Sequence, residues 1–139
     1  MNDPHNLQRF VDAQNPVYDR VCAELRAGQK MSHWMWFIFA QLRGLGRSHM
    51  ADKLAISSRE EALAYLKHPL LGERLRECTG LVNSVQGRTI NEIFDYPDDL
   101  KFRSSMTLFA QVASGENIFH EAIRKYFHGG FDALTLERL

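Results

Sequence analysis

From Trp34 to Phe39 every residue of the chain is apolar, Trp34-Met35-Trp36-Phe37-Ile38-Phe39. No other feature constrains the fold as much. A segment apolar on all sides has to be covered on all sides, and each large aromatic removes about 150–250 Å² from water when buried. The run is too short to cross a membrane, which takes about 20 apolar residues. Its cover therefore has to come from the rest of the chain. We read it as the heart of a helix that starts after a Ser32 cap and reaches about Leu42, before Gly44 and Gly46. A buried strand is the competing reading for so short a run. It is set aside because no second β-like run is present, and an unpaired buried strand leaves backbone groups unsatisfied.

The spacing elsewhere predicts helices throughout. Asp3-Pro4 and Asn15-Pro16 are start signals, and Tyr18, Val21, Cys22 and Leu25 form an apolar face that stops at Gly28. Ser58-Arg59-Glu60-Glu61 and Thr89-Ile90-Asn91-Glu92 are capping boxes. His68-Pro69 marks a boundary, since a residue before proline avoids helical dihedrals. Leu71, Leu75, Cys78, Val82 and Val85 step by four and three, as one face of a helix does. Phe102, Met106, Phe109 and Ala113 form another stripe, Asn117 caps a helix through Phe127, and Asp132 caps a last one. Ser48 is read as the cap of a short turn. The expectation is an all-α single domain over residues 1–139, with the tryptophan helix at its centre. The segments at 15–27, 69–86 and 97–113 wrap it.

With 139 residues the chain has room for one core. Lys plus Arg and Asp plus Glu number 17 each, so bulk charge offers no general attraction to nucleic acid or anionic membrane. The start, Met1-Asn2-Asp3-Pro4-His5, carries no signal-peptide pattern, and a cytoplasmic protein is expected. Cys22 and Cys78 sit on apolar helical faces and read as small buried hydrophobes, in neither a disulfide nor a metal spacing. His120-Glu121 lacks the second histidine of a zinc protease motif. No metal or cofactor is expected.

The run Ser32-His33-Trp34-Met35-Trp36-Phe37-Ile38-Phe39, followed by Gln41-Leu42-Arg43-Gly44-Leu45-Gly46-Arg47-Ser48, resembles the signature of a widespread bacterial family of unknown function. Its members have often been mislabelled "calpastatin". Ala64-Tyr65-Leu66-Lys67-His68-Pro69-Leu70-Leu71-Gly72, Asp98 through Phe109, and the tail around Gly129-Gly130 and Thr135-Leu136 agree with that family. The resemblance implies a single multihelical domain and no established activity. Ala40 and His49 stand where the family commonly has proline. The calpastatin label is physically implausible, because that inhibitor is a disordered repeat protein and this chain is compact and repeat-free.

Candidate chemistry sits at the polar ends of the tryptophan run and in the Asp98–Phe109 segment. Ser32, His33, Trp34, Gln41 and Arg43, with Lys101, Arg103 and Ser104, are the candidate ligand-binding residues. Lys30, Arg47 and Ser105 flank them. Arginine offers a fork that holds carboxylate or phosphate at two points, and an indole offers a stacking face. If the two segments meet, a small anion such as a nucleotide or phosphorylated metabolite fits between them. Plainer roles stand beside these: Ser32 as a cap, Gln41 and Arg43 on helix-end carbonyls, Ser104 and Ser105 as small residues for close packing. His33 is a candidate general acid or base, with Asp98 or Asp99 to orient it or to act alone. The alternative function is a protein interaction module, a homodimer or adaptor.

Overall fold

The computed structural model describes residues 3–45 and 53–139. Among them the elements are α1 Gln8–Gln14, α2 Tyr18–Ala27, α3 Met35–Ile38, α4 Arg59–Lys67 and α5 Leu71–Asn83. They continue with α6 Ile90–Phe94, α7 Asp98–Val112, α8 Ile118–Phe127 and α9 Ala133–Arg138. The fold is all-α. No helix among the described residues is long and apolar enough to cross a membrane. The expected Ser48 cap and Arg47 lie outside the described residues.

Local chemistry sets most boundaries. The Ser58 hydroxyl accepts from Glu61 N–H, and Thr89 and Glu92 close a reciprocal capping box. Asn117 accepts from Phe119 and His120 N–H, and Asp132 from Thr135 N–H. Gly28 ends α2 in the left-handed region at φ 74°. His68 is extended at ψ 130°, as its following proline requires.

The centre of the molecule is α7, not the tryptophan run. From Ser104 to Ala110 every α7 residue is buried, and α3, α4, α6, α8 and α9 all pack on it. Serines and threonines supply that burial along with apolar residues, so the helix does not look like a core helix in a hydropathy pattern. Ser105 is fully buried and small, which lets neighbours approach.

The tryptophan run is buried but is not a long helix. Only one turn, Met35–Ile38, is helical, and no side chain caps it. The chain then extends. Gln41 carbonyl accepts from Ile56 N–H at 2.9 Å, and Arg43 N–H donates to Ile56 carbonyl at 2.8 Å. Leu42 and Ile56 thus form a parallel bridge. The expected helix to Leu42 fails for a specific reason: Ile56, which carries no strand pattern around it, supplies the backbone partner that an extended segment needs. Ser32 is no cap because its hydroxyl is taken by Glu24. The aromatics still cluster as expected. Phe39 meets Phe102 edge-on at 5.0 Å and Phe94 at 5.8 Å, and Trp34 meets Phe94 at 6.3 Å.

Candidate functional site

The expected site residues separate into three sets of contacts. The first gathers on Glu24 of α2, a carboxylate that the sequence pattern did not single out. Its Oε1 accepts from Met31 N–H at 2.7 Å, Ser32 N–H at 3.1 Å and the Trp34 indole N–H at 2.9 Å. Its Oε2 accepts from the Ser32 hydroxyl at 2.7 Å. Burial alone would raise the Glu24 carboxyl, but these four donors outweigh it and hold the group below the ordinary range. Trp34 is 1% exposed and presents no stacking face. Trp36, by contrast, has a buried indole N–H with no partner among the described residues.

Beside this hub Lys30 ties α2's exit to α7. Its Nζ lies 2.9 Å from Asp98, which also sits 3.5 Å from Lys101 Nζ. Lys30 Nζ is also 5.2 Å from the centre of the Trp34 ring. Lys101 and Trp34 are therefore linked only through Asp98 and Lys30, by a structural ion pair. His33 is exposed, and no described residue hydrogen-bonds its ring. Asp99 accepts from Asn91 Nδ2 at 3.3 Å and from Leu100 N–H at 2.9 Å. His33 and Asp99 do not form a hydrogen-bonded pair.

The second set fastens the tail. Arg103 Nε donates to Gly130 carbonyl at 2.7 Å, and its guanidinium lies 5.4 Å from the Phe127 ring centre. The Ser104 hydroxyl donates to Leu100 carbonyl and Asp132, both at 3.2 Å. Asp132 N–H donates to Thr107, and the Thr135 hydroxyl donates to Asp132. The segments around Ser104 and Thr135 are therefore two halves of one latch.

The third set surrounds Arg43 and lines a cavity. About 410 Å³ lies between the N-terminal turn, Arg43 and the start of α4, lined by His5, Asn6, Arg9, Arg43, Lys53, Ser57 and Glu61 with Pro4. Arg9 frames it. Its Nε donates to Lys53 carbonyl, Nη1 to the carbonyls of His5 and Asn6, and Nη2 to Ala55 carbonyl and Glu61 at 2.7 Å. All five N–H bonds of the guanidinium are thereby used. Glu61 also accepts from Ser57 N–H at 2.9 Å and the Ser57 hydroxyl at 2.6 Å. Burial would raise the Glu61 carboxyl, but Ser57 and Arg9 hold it below its ordinary value. A sequence signal for this existed. The Ser58–Glu61 capping box was legible, but its glutamate reaches back to Ser57 instead of Ser58, and its ion partner lies far away in sequence.

This geometry belongs to a recognised group of sequences. Residues 4–139 match a family described as a protein of unknown function, DUF1810. The chain belongs to the DUF1810 family. A solved structure of the conserved hypothetical protein Rv1873 from Mycobacterium tuberculosis is similar to it, with a TM-score of 0.97 and 60% sequence identity. The match covers 99% of this chain and 98% of that one. No curated protein matches the chain.

Two further features of this DUF1810 chain bear on its chemistry. Among the described residues no cluster of histidine, cysteine and carboxylate side chains is arranged to hold a metal ion. Cys22 and Cys78 are buried free thiols, but they are not apolar in their contacts. Cys22 Sγ lies 4.0 Å from Glu77, Cys78 Sγ 3.8 Å from the Tyr18 hydroxyl, and Tyr18 donates to Glu77. Burial pushes the Cys78 thiol up to about 12, which keeps it protonated and unreactive.

Proposed function

We propose that this chain binds a small oxyanion, a phosphate-bearing or carboxylate-bearing metabolite, in the Arg43 cavity. One observation carries the reading. Among the described residues of its lining, His5, Arg9, Arg43 and Lys53 stand with one carboxylate, Glu61, which is held by Arg9 and Ser57, and the exposed Lys53 ammonium makes no described ion pair. A volume of about 410 Å³ is within the range of small-ligand pockets. Arg9 supplies charge but no spare N–H, so the direct hydrogen bond to the ligand is assigned to Lys53, and Arg43 adds positive charge to the lining. Of the residues expected to bind a ligand, Arg43 is retained, Ser32, Trp34, Lys101, Arg103 and Ser104 are engaged in contacts within the fold, and exposed His33 lies outside this cavity's lining.

A thermal-shift series with inorganic phosphate, pyrophosphate and nucleotides tests this. A ligand at about 100 times its Kd stabilises the native state by about 2.7 kcal/mol. The expected result is a concentration-dependent rise in Tm that Arg43→Ala and Lys53→Ala reduce. A flat response across the series removes the proposal.

A second reading, as a homodimeric or adaptor module, has its own observation. Met31 and Tyr96 are 72% and 75% exposed, and Leu100 is also exposed. Lys30 holds their segments side by side, by N–H donation to Ile93 carbonyl and by its Asp98 ion pair. An exposed apolar patch of this kind suits a partner surface. Monomeric sedimentation at high concentration counts against the homodimer.

A further inference from the structure

The family segment Ala64 to Gly72 takes no part in the Arg43 cavity, yet it shapes another. A Cβ at Gly72 would lie 2.0 Å from the Leu66 carbonyl oxygen, so only glycine lets α5 start so close to the end of α4. His68 fixes the corner: its Nδ1 accepts from Leu70 and Leu71 N–H at 3.1 and 3.2 Å. The tight corner sets Lys67 beside Arg76, whose Nη1 donates to Leu66 carbonyl at 3.3 Å. Between this corner and the α7–α8 corner lies a cavity of about 470 Å³. Its walls are apolar, from Leu63 and Leu66 on one side and from Val112, Ile118 and Phe119 on the other.

We propose that this cavity binds a small amphipathic anion: an apolar body that ends in one carboxylate. The walls suit a hydrocarbon or ring, which gains about 25 cal/mol for each Å² it buries. Among the described residues the charged side chains of the lining are Lys67 and Arg76, both cationic, with no acid among them. Arg76 has one described hydrogen bond and Lys67 has none. The Asn117 carboxamide is already engaged: its oxygen accepts from Phe119 and His120 N–H, and its nitrogen donates to Gly115 carbonyl. The anionic end therefore belongs to Lys67 and Arg76, and the apolar end lies against Leu63, Val112 and Ile118. A bare phosphate leaves the apolar walls unused, and a neutral alcohol leaves the two cations unanswered.

Isothermal titration with octanoate, octanol and inorganic phosphate tests the assignment. The expected result is a saturable octanoate site, weakened at least tenfold in Lys67→Ala/Arg76→Ala and unchanged in Arg20→Ala, an exposed cation outside both cavity linings. Octanol is expected to bind at least tenfold more weakly. Since Arg76 also braces the corner, Lys67→Glu and Leu63→Gln, both at exposed positions, provide a second test with the fold checked by circular dichroism. Each should weaken octanoate. Absence of saturable binding, equal binding of octanol, or undiminished binding in Lys67→Glu overturns the proposal. Loss in Lys53→Ala with Lys67→Glu unaffected overturns it too, and moves the anion to the Arg43 cavity.

Discussion

Glu24 and Glu61 do similar work in different surroundings. Each is a buried carboxylate that pulls an irregular segment onto a helix, and each is held below its ordinary pKa by the donors that surround it. Glu24 is served by local chain, from Met31 to Trp34, and its four donors are three N–H groups and a hydroxyl. Glu61 takes a full positive charge from Arg9, 52 residues away, at 2.7 Å. The Glu24 hub encloses its own donors, and the Lys30 ammonium beside it is paired with Asp98. The Glu61 hub stands at the edge of a cavity whose described lining also holds Lys53, which makes no described ion pair. That difference marks the Glu61 hub as the one of the two that we propose serves a ligand.

The largest expected effect breaks the long-range hub. Arg9→Ala removes five hydrogen bonds at once and leaves Glu61, whose side chain is 3% exposed, without its cation. Removing one partner of a buried pair costs about 3 kcal/mol or more. Urea unfolding is the measurement. A loss much below that means the N-terminal turn is held by packing instead.

Glu24→Ala follows. It strands the Trp34 indole N–H and the Ser32 hydroxyl, and a buried unsatisfied donor costs about 1–3 kcal/mol. We expect about 2 kcal/mol in urea unfolding. Its selective signature is a change in Trp34 fluorescence, which Arg9→Ala should not produce.

Acid should weaken both hubs. The folded-state pKa of each carboxyl lies below its unfolded value of about 4.3. Their stabilisation is therefore complete above about pH 4.3 and is lost as pH falls through the folded values. Asp3 and Glu92 are lowered as well, so the informative quantity is the difference between variants. Glu24→Gln and Glu61→Gln should each flatten stability against pH below about 4.3, and the double variant more than either. Parallel curves for wild type and double variant dispose of the carboxylate account.

The contrast between the hubs also explains what the sequence made legible. Elements closed by near neighbours could be read: the Thr89–Glu92 box, the Gly28 stop, the Asn117 and Asp132 caps. Elements decided by distant partners could not. Gln41 and Leu42 read as the end of a helix because nothing in the pattern announces that the chain will pair with Ile56 there. Ser104 read as a ligand contact because its partner Asp132 lies 28 residues on. Burial of α7 from Ser104 to Ala110 was hidden because serine and threonine carry polarity into a crowded interior. Arg43 kept its place at a cavity, but its companions there, Arg9 and Lys53, come from segments with no signature of their own.

The smallest effect on stability carries the most functional information. Lys53 is exposed, and its side chain has no described hydrogen bond or ion pair; Arg9 reaches only its carbonyl, at 3.1 Å. Lys53→Ala should therefore change unfolding free energy by about 0.5 kcal/mol or less. If the Glu61 hub is a fastening like Glu24, nothing else will change. If its extra cations are there for an anion, Lys53→Ala will lower the phosphate-induced rise in Tm, and raising ionic strength will lower it further. Lys53→Glu, which reverses the charge at the same place, should abolish that rise while leaving the protein's own Tm close to wild type. Loss of ligand response without loss of stability is an outcome that a merely structural cation cannot give.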